Sequence, residues 1–211
     1  MAYIYMPLLF CSVGYVILYI AFAPLVIPVI SSLSLITSDN NIDYSSRIDS
    51  IFKSNGNLAG IETVKEADIE MPSYGTHYAR LEIKSASVAA DLYFGDSSAV
   101  LKKGVGQFIG SFIPGYGRPL LIGGHNNGAF NSLQYVKQGD IVTITTNYGV
   151  YEYRITETKI ADHKDKGTYN LSLNKEQLVL YTCYPFDTLG LTSKRFFVYG
   201  EKILGPVIVS D

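Results

Sequence analysis

From Tyr3 to Ile30 the chain reads YIYMPLLFCSVGYVILYIAFAPLVIPVI, 28 residues without a charge. No Lys, Arg, Asp or Glu precedes Asp39. A helix needs about 20 apolar residues to cross the hydrocarbon core of a bilayer, so this stretch is long enough to span one. It exceeds the roughly 7–15-residue apolar core of a cleavable signal peptide. It also lacks a charged leader, and Pro24 directly follows the cleavage-like triplet Ala21-Phe22-Ala23. As a soluble helix it would have to be apolar and buried all round. Residues 1–30 therefore read as a membrane anchor helix. Flanking charge does not orient it, because the first Lys or Arg is Arg47.

Residues 31–66 are rich in Ser, Asn and Asp and read as a polar stem, with a short amphipathic helix around Ile42–Phe52. Residues 67–211 read as the folded domain. The formal net charge of the whole chain is -2, which gives no basic face for nucleic acid. Seventeen tyrosines and 19 glycines favour strands and turns over helices.

Within 67–211, short apolar runs alternate with turn residues. ARLEIKSASVAADLYFG predicts two strands, and SAVLKKGVGQF a short helix ending in glycines. RPLLIGGHNN predicts an apolar strand that stops at Gly-Gly-His. DIVTITTNYGVYEYRITETKI predicts a hairpin, with Val142 and Ile144 on one face, Ile141 and Thr143 on the other, and Asn-Tyr-Gly as its turn. EQLVLYTC and RFFVYGEKI complete the set. Many short strands with little helix predict a mostly β domain, either a barrel or a sandwich.

The chain has two cysteines, Cys11 in the apolar segment and Cys183 at the end of a predicted strand. An anchor that spans the bilayer keeps them apart, so Cys183 is expected as a free thiol. Free cysteine is most often a small buried hydrophobe. Cys183 instead ends a strand and opens a loop, where reactive groups are presented. A nucleophilic thiol needs a proton-accepting or positive neighbour. His77 reads as a surface residue and His163 lies in the charged segment DHKDK. His125, directly after a strand and two glycines, is the better partner. If 178–183 and 195–203 are antiparallel neighbours, Arg195 faces Cys183 and could donate to an oxyanion. Taken alone, Arg195 reads rather as an ordinary strand-edge arginine in a surface ion pair. No acid suggests itself as a third triad member, since Asp187 follows Cys183 too closely in the loop.

Three segments together are more specific than any one. LVLYTCYPF followed by SKRFFVYG resembles the sortase signature, in which Thr-Cys ends one strand and an arginine starts the next. LLIGGHNNGAFNSLQYVKQGDIVTI resembles the sortase histidine segment, with a Phe and a Leu a few residues after Gly-His. The order His, Cys, Arg also matches. The resemblance covers roughly residues 67–204 and is strongest to class D, which a single N-terminal anchor without a second span also fits. Two positions depart from the family pattern. Asn126-Asn127 stands where members often have Arg after the histidine, and Gly106-Gln107 where many class D members have Gly-His.

The resemblance implies a closed eight-stranded β-barrel with short helices, behind one N-terminal transmembrane helix, on the outer face of a Gram-positive membrane with N-in, C-out topology. It implies a cysteine transpeptidase that cuts Leu-Pro-x-Thr-Gly-type sorting signals between Thr and Gly. An amine of a peptidoglycan precursor then resolves the thioester. Cys183 is the expected nucleophile, His125 the acid and base, and Arg195 the oxyanion or substrate donor. Thr182, Tyr184 and Pro185 are expected to contact substrate. The 184–194 loop, and the loops before Ala161–Tyr169, are candidate groove walls. Leu178, Val179 and Leu180 are expected in the barrel floor. No cofactor is implied, and no acidic cluster suggests calcium. L,D-transpeptidases want a His-Gly-Cys-type segment that is missing here, and papain-like enzymes place Cys first. The non-enzymatic alternative is a membrane-tethered β-domain that binds or scaffolds cell-surface components, with Cys183 inert.

Overall fold

The structure is a computed structural model that describes residues 5–7, 9–19, 62–186 and 192–210. Residues 5–7 and 9–19 are helical, and their apolar side chains, Phe10 and Tyr15 among them, are almost all exposed. Among the described residues no helix is long and apolar enough to cross a membrane. The rest of the 1–30 segment and most of the stem, including the helix expected at Ile42–Phe52, lie outside the described residues.

The larger unit is built of strands. They are β1 (Thr63–Lys65), β2 (His77–Ile83), β3 (Val88–Phe94), β4 (Val105–Gln107) and β5 (Leu120–Gly123). β6 (Ile141–Thr146), β7 (Val150–Asp162), β8 (Gln177–Tyr184), β9 (Lys194–Leu204) and β10 (Val207–Val209) follow. Eight of them close a barrel in the order β2-β3-β4-β5-β8-β9-β7-β6. The barrel-or-sandwich alternative is thus decided for the barrel. β1 and β10 form a separate parallel pair, so residues 63–65, read as the end of the stem, carry a strand.

Alternation directs the β6–β7 hairpin as its sequence predicts. Val142 and Ile144 are fully buried, and Tyr151, Tyr153 and Ile155 fill the interior from the returning strand. Thr146 Oγ1 accepts from the amides of Tyr148 (3.2 Å) and Gly149 (2.9 Å) and so holds the turn. The helix expected over SAVLKKGVGQF is only Ser98–Leu101, and Val105–Gln107 is a strand. The reason lies in its glycines: a Cβ on Gly104 would strike the Asp91 carbonyl, and one on Gly106 the Gly95 carbonyl. Glycine lets β4 settle close to β3 and its exit loop.

β8 is buried on both faces. Leu178 and Leu180 point into the barrel, whereas Val179 points outward to a second cluster with Leu121, Ala161, Phe197 and Tyr199. Val179 is therefore not part of the barrel floor. Its run of apolar residues has no alternation to read, as in other strands covered on both sides. Phe108, Leu171 and Tyr181 pack over this outer cluster.

One end of the barrel is tied by Glu176, just before β8. Its carboxylate accepts from the amides of Gly115 and Gly117 (both 3.1 Å), from Tyr153 Oη (2.6 Å) and from Lys202 Nζ (3.4 Å). Four donors satisfy a carboxylate that would otherwise be costly to bury. The opposite end of β8 carries Cys183.

Candidate active site

In the β8–β9 ladder Cys183 is the direct partner of Arg195, Thr182 of Phe196, and Tyr181 of Phe197. The expected juxtaposition of Cys183 and Arg195 is present. Strand alternation puts Tyr181, Cys183, Arg195 and Phe197 on the outer face and Thr182 on the inner one. Cys183 is partly exposed and forms no disulfide. That placement differs from the fate of a cysteine used as core filler.

β5 lies parallel to β8, with Gly123 beside Tyr181. The chain leaves β5 at Gly124 and turns through His125, so the histidine loop starts next to the cysteine strand. Gly124 N donates to the Tyr181 carbonyl (3.2 Å), and Thr182 Oγ1 donates to the Gly124 carbonyl (2.8 Å). The His125 carbonyl accepts from the amides of Gly128 (3.2 Å) and Phe130 (3.1 Å), which curls the loop into a tight turn. Phe130 and Leu133, the aromatic and aliphatic positions of the histidine segment, are fully buried plugs. A Cβ on Gly124 would come within 2.6 Å of the Phe130 ring, so the residue before His125 has to be small. Hence this pattern of residues carries a loop geometry as well as a chemical group.

His125 is half-buried. Burial lowers its pKa below the usual histidine value, and the nearby Lys102 ammonium lowers it further. Both effects favour the neutral imidazole. On the other side of Cys183, Arg195 Nη1 donates to the carbonyls of Thr192 (2.6 Å) and Lys194 (2.9 Å). Among the described residues nothing accepts from its Nε or Nη2.

The other expected contacts divide. Thr182 is buried, and its hydroxyl is committed to Gly124. Tyr184 stands edge-on to Phe186 at the end of β8. The Pro185 carbonyl accepts from Asn126 Nδ2 at 3.0 Å. Residues 187–191 of the 184–194 loop, including Asp187, lie outside the described residues. His163 is exposed, as expected. His77 is a correction, because its ring is mostly buried. Nε2 lies 2.9 Å from the Ala79 carbonyl and 3.6 Å from Asp91, and the ring packs on Tyr93. The antiparallel pairing of β2 with β3 brings Asp91 and Tyr93 to it.

Sequence reasoning missed Tyr181. Its phenol lies across Gly123, where a Cβ would come within 2.6 Å of Cζ, and stacks on Phe197 with centroids 6.2 Å apart. Burial, with the nearby Asp96 carboxylate, pushes its pKa up to about 12. The ring therefore forms a neutral aromatic floor beside Cys183. Gly123 is the signal that could have revealed it, since a glycine ending an apolar strand marks a close approach.

Comparison with known proteins agrees with this architecture. The Sortase domain family matches residues 81–203. Sortase D of Bacillus subtilis (strain 168) is 32% identical over 132 residues, 63% of this chain and 67% of that protein. Sortase A of Listeria monocytogenes is 28% identical over 124 residues, 57% of this chain and 54% of its own length. The solved structure of a Clostridium perfringens Sortase D5 transpeptidase superposes with a TM-score of 0.57 at 24% identity, covering 64% of this chain and 83% of that one. The chain belongs to the sortase family of cysteine transpeptidases and is class D-like within it.

Proposed function

We propose that Cys183, His125 and Arg195 are the working groups of a transpeptidase that cleaves Leu-Pro-x-Thr-Gly-type sorting signals between Thr and Gly. The observation that carries the reading is the pairing of Cys183 with Arg195 across β8 and β9, with the His125 loop bonded to the same strand. The Cys183 thiolate attacks the Thr carbonyl carbon and forms a C–S bond. Arg195 donates from its guanidinium N–H groups to the oxyanion. The imidazolium of His125 gives its proton to the departing glycine amine as the C–N bond breaks, which leaves a thioester. An acceptor amine from a peptidoglycan precursor then attacks the thioester and passes its proton to His125. The C–S bond breaks and the thiolate is restored. Burial and the nearby Lys102 ammonium both favour the neutral imidazole of His125 at rest.

The apolar N-terminal segment supports membrane anchoring, and membership of the sortase family supports a barrel outside the cell. The outer aromatic cluster around Tyr181 and Phe197 supports an apolar groove for the Leu and Pro of the signal. The test incubates the full chain, in detergent micelles, with a fluorogenic Leu-Pro-x-Thr-Gly peptide, with and without a peptidoglycan-stem amine. The expected results are cleavage after Thr, transfer to the amine, and an acyl adduct on Cys183 seen by mass spectrometry. Equal cleavage by Cys183→Ala would rule the covalent route out.

A further inference from the structure

The turn that carries His125 is fastened at two points. Before His125, Gly124 is bonded to Tyr181 and Thr182 of β8. After it, Asn126 Nδ2 donates to the Pro185 carbonyl, 59 residues away in sequence, at 3.0 Å. Asn126 is only 8% exposed, while its neighbour Asn127 is exposed. Among the described residues this is the side-chain bond that joins the histidine turn to the turn after Cys183.

We propose that Asn126 is a positioning residue: its amide latches the His125 turn to the turn after Cys183 and so fixes the imidazole relative to the thiol. The inference rests on the roles given above to Cys183 and His125. Its physical basis is mechanical. The amides of Gly128 and Phe130 close the turn on the His125 carbonyl, so it moves as one piece. A rigid piece held only at Gly124 can pivot there, and a second fastening beyond His125 removes that freedom. A carboxamide suits the position, because it supplies an N–H donor to a carbonyl without burying a charge.

Misplacing a catalytic group by 1 Å can cost about 100-fold in rate. The test compares the full chain in detergent micelles with Asn126→Ala and Asn126→Asp, and with Asn127→Ala as a control. Asp keeps the shape but, when ionised, sets an acceptor against the Pro185 carbonyl. Each variant is assayed below its own unfolding temperature. We expect both Asn126 variants to lose at least about tenfold in kcat for peptide cleavage, with KM within about twofold, and Asn127→Ala to match the parent. A kcat within about twofold of the parent in Asn126→Ala, or a loss carried mainly by KM, overturns the proposal. A second measurement does not depend on the substrate: the rate of iodoacetamide alkylation, read at the Cys183 peptide by mass spectrometry. We expect Asn126→Ala to slow it roughly fivefold at neutral pH, because the thiol loses the proton acceptor that converts it to the reactive thiolate. If the parent chain cleaves no sorting peptide, the proposed function fails and alkylation alone decides, an unchanged or faster rate overturning the latch.

Discussion

The two ends of β8 use the same device to different effect. At the Glu176 end, four donors converge on one buried carboxylate, and the group has no task left over. At the Cys183 end, the fastenings run through neighbours: Thr182 holds Gly124, Asn126 holds Pro185, and Thr192 and Lys194 hold one nitrogen of Arg195. Among the described residues no hydrogen bond commits Cys183, the His125 ring or the rest of the Arg195 fork. Saturating a polar group stabilises a barrel, whereas saturating its neighbours leaves the group itself free to react.

That contrast can be broken by substitution at either end. Cys183→Ala should lower peptide transfer by roughly 10⁴-fold or more, to background, with an unchanged unfolding midpoint. A large fall in stability would show that the thiol is packed as filler. Glu176→Ala should do the reverse. It strands Tyr153 and two amides and leaves Lys202 only the Pro206 carbonyl, and denaturant titration should show a loss of roughly 3–5 kcal/mol. Peptide turnover below the new midpoint should hardly change, and a selective fall in kcat would mean the two ends are coupled. Arg195→Ala comes next, with a loss of roughly 10²-fold in kcat. If Arg195→Lys restores full rate, charge alone suffices and the planar fork is irrelevant.

Two pH effects are smaller. Burial raises the pKa of Tyr148 and Tyr153 well above 10 and that of Tyr199 to about 12. The unfolded chain thus loses these protons first. The stability is present below pH 10 and is lost as pH rises beyond it, so the denaturation midpoint should fall between pH 9 and 11. His125 has the opposite sign. Its folded pKa lies below the usual value, so its contribution is present above about pH 6.5 and declines as pH falls through the folded pKa. An NMR titration of the His125 ring that gives a raised pKa would contradict the burial described for it.

Much of this was legible from residues. The β6–β7 hairpin follows from strict alternation with a turn between its strands, and the Cys183–Arg195 pairing from two apolar runs joined by one loop. What was not legible depends on distant partners. Gly115 and Gly117 meet Glu176 across about 60 positions of sequence, and nothing local marks Glu176 as buried. β4 was hidden because three residues with a central glycine look like a helix ending. Asn126 was visible only as a departure from the sortase pattern, and its partner at Pro185 gives that departure a physical meaning. Val179 misled because both faces of its strand are covered.

The parallel pairing of Thr63 with Val207 and Lys65 with Val209 has a consequence for protein engineering. It brings the first and last strands of the folded unit side by side. A covalent link from residue 210 back to residue 62 must return along the ribbon, about 13 Å at ~3.3 Å per residue. Roughly five or six flexible residues suffice. New termini opened in the exposed turn at 163–167 would give a circular permutant with the barrel ladder intact. Such a chain could be tethered from a different side, which would turn the Cys183 end of the barrel towards a surface of choice without altering a residue of the barrel strands.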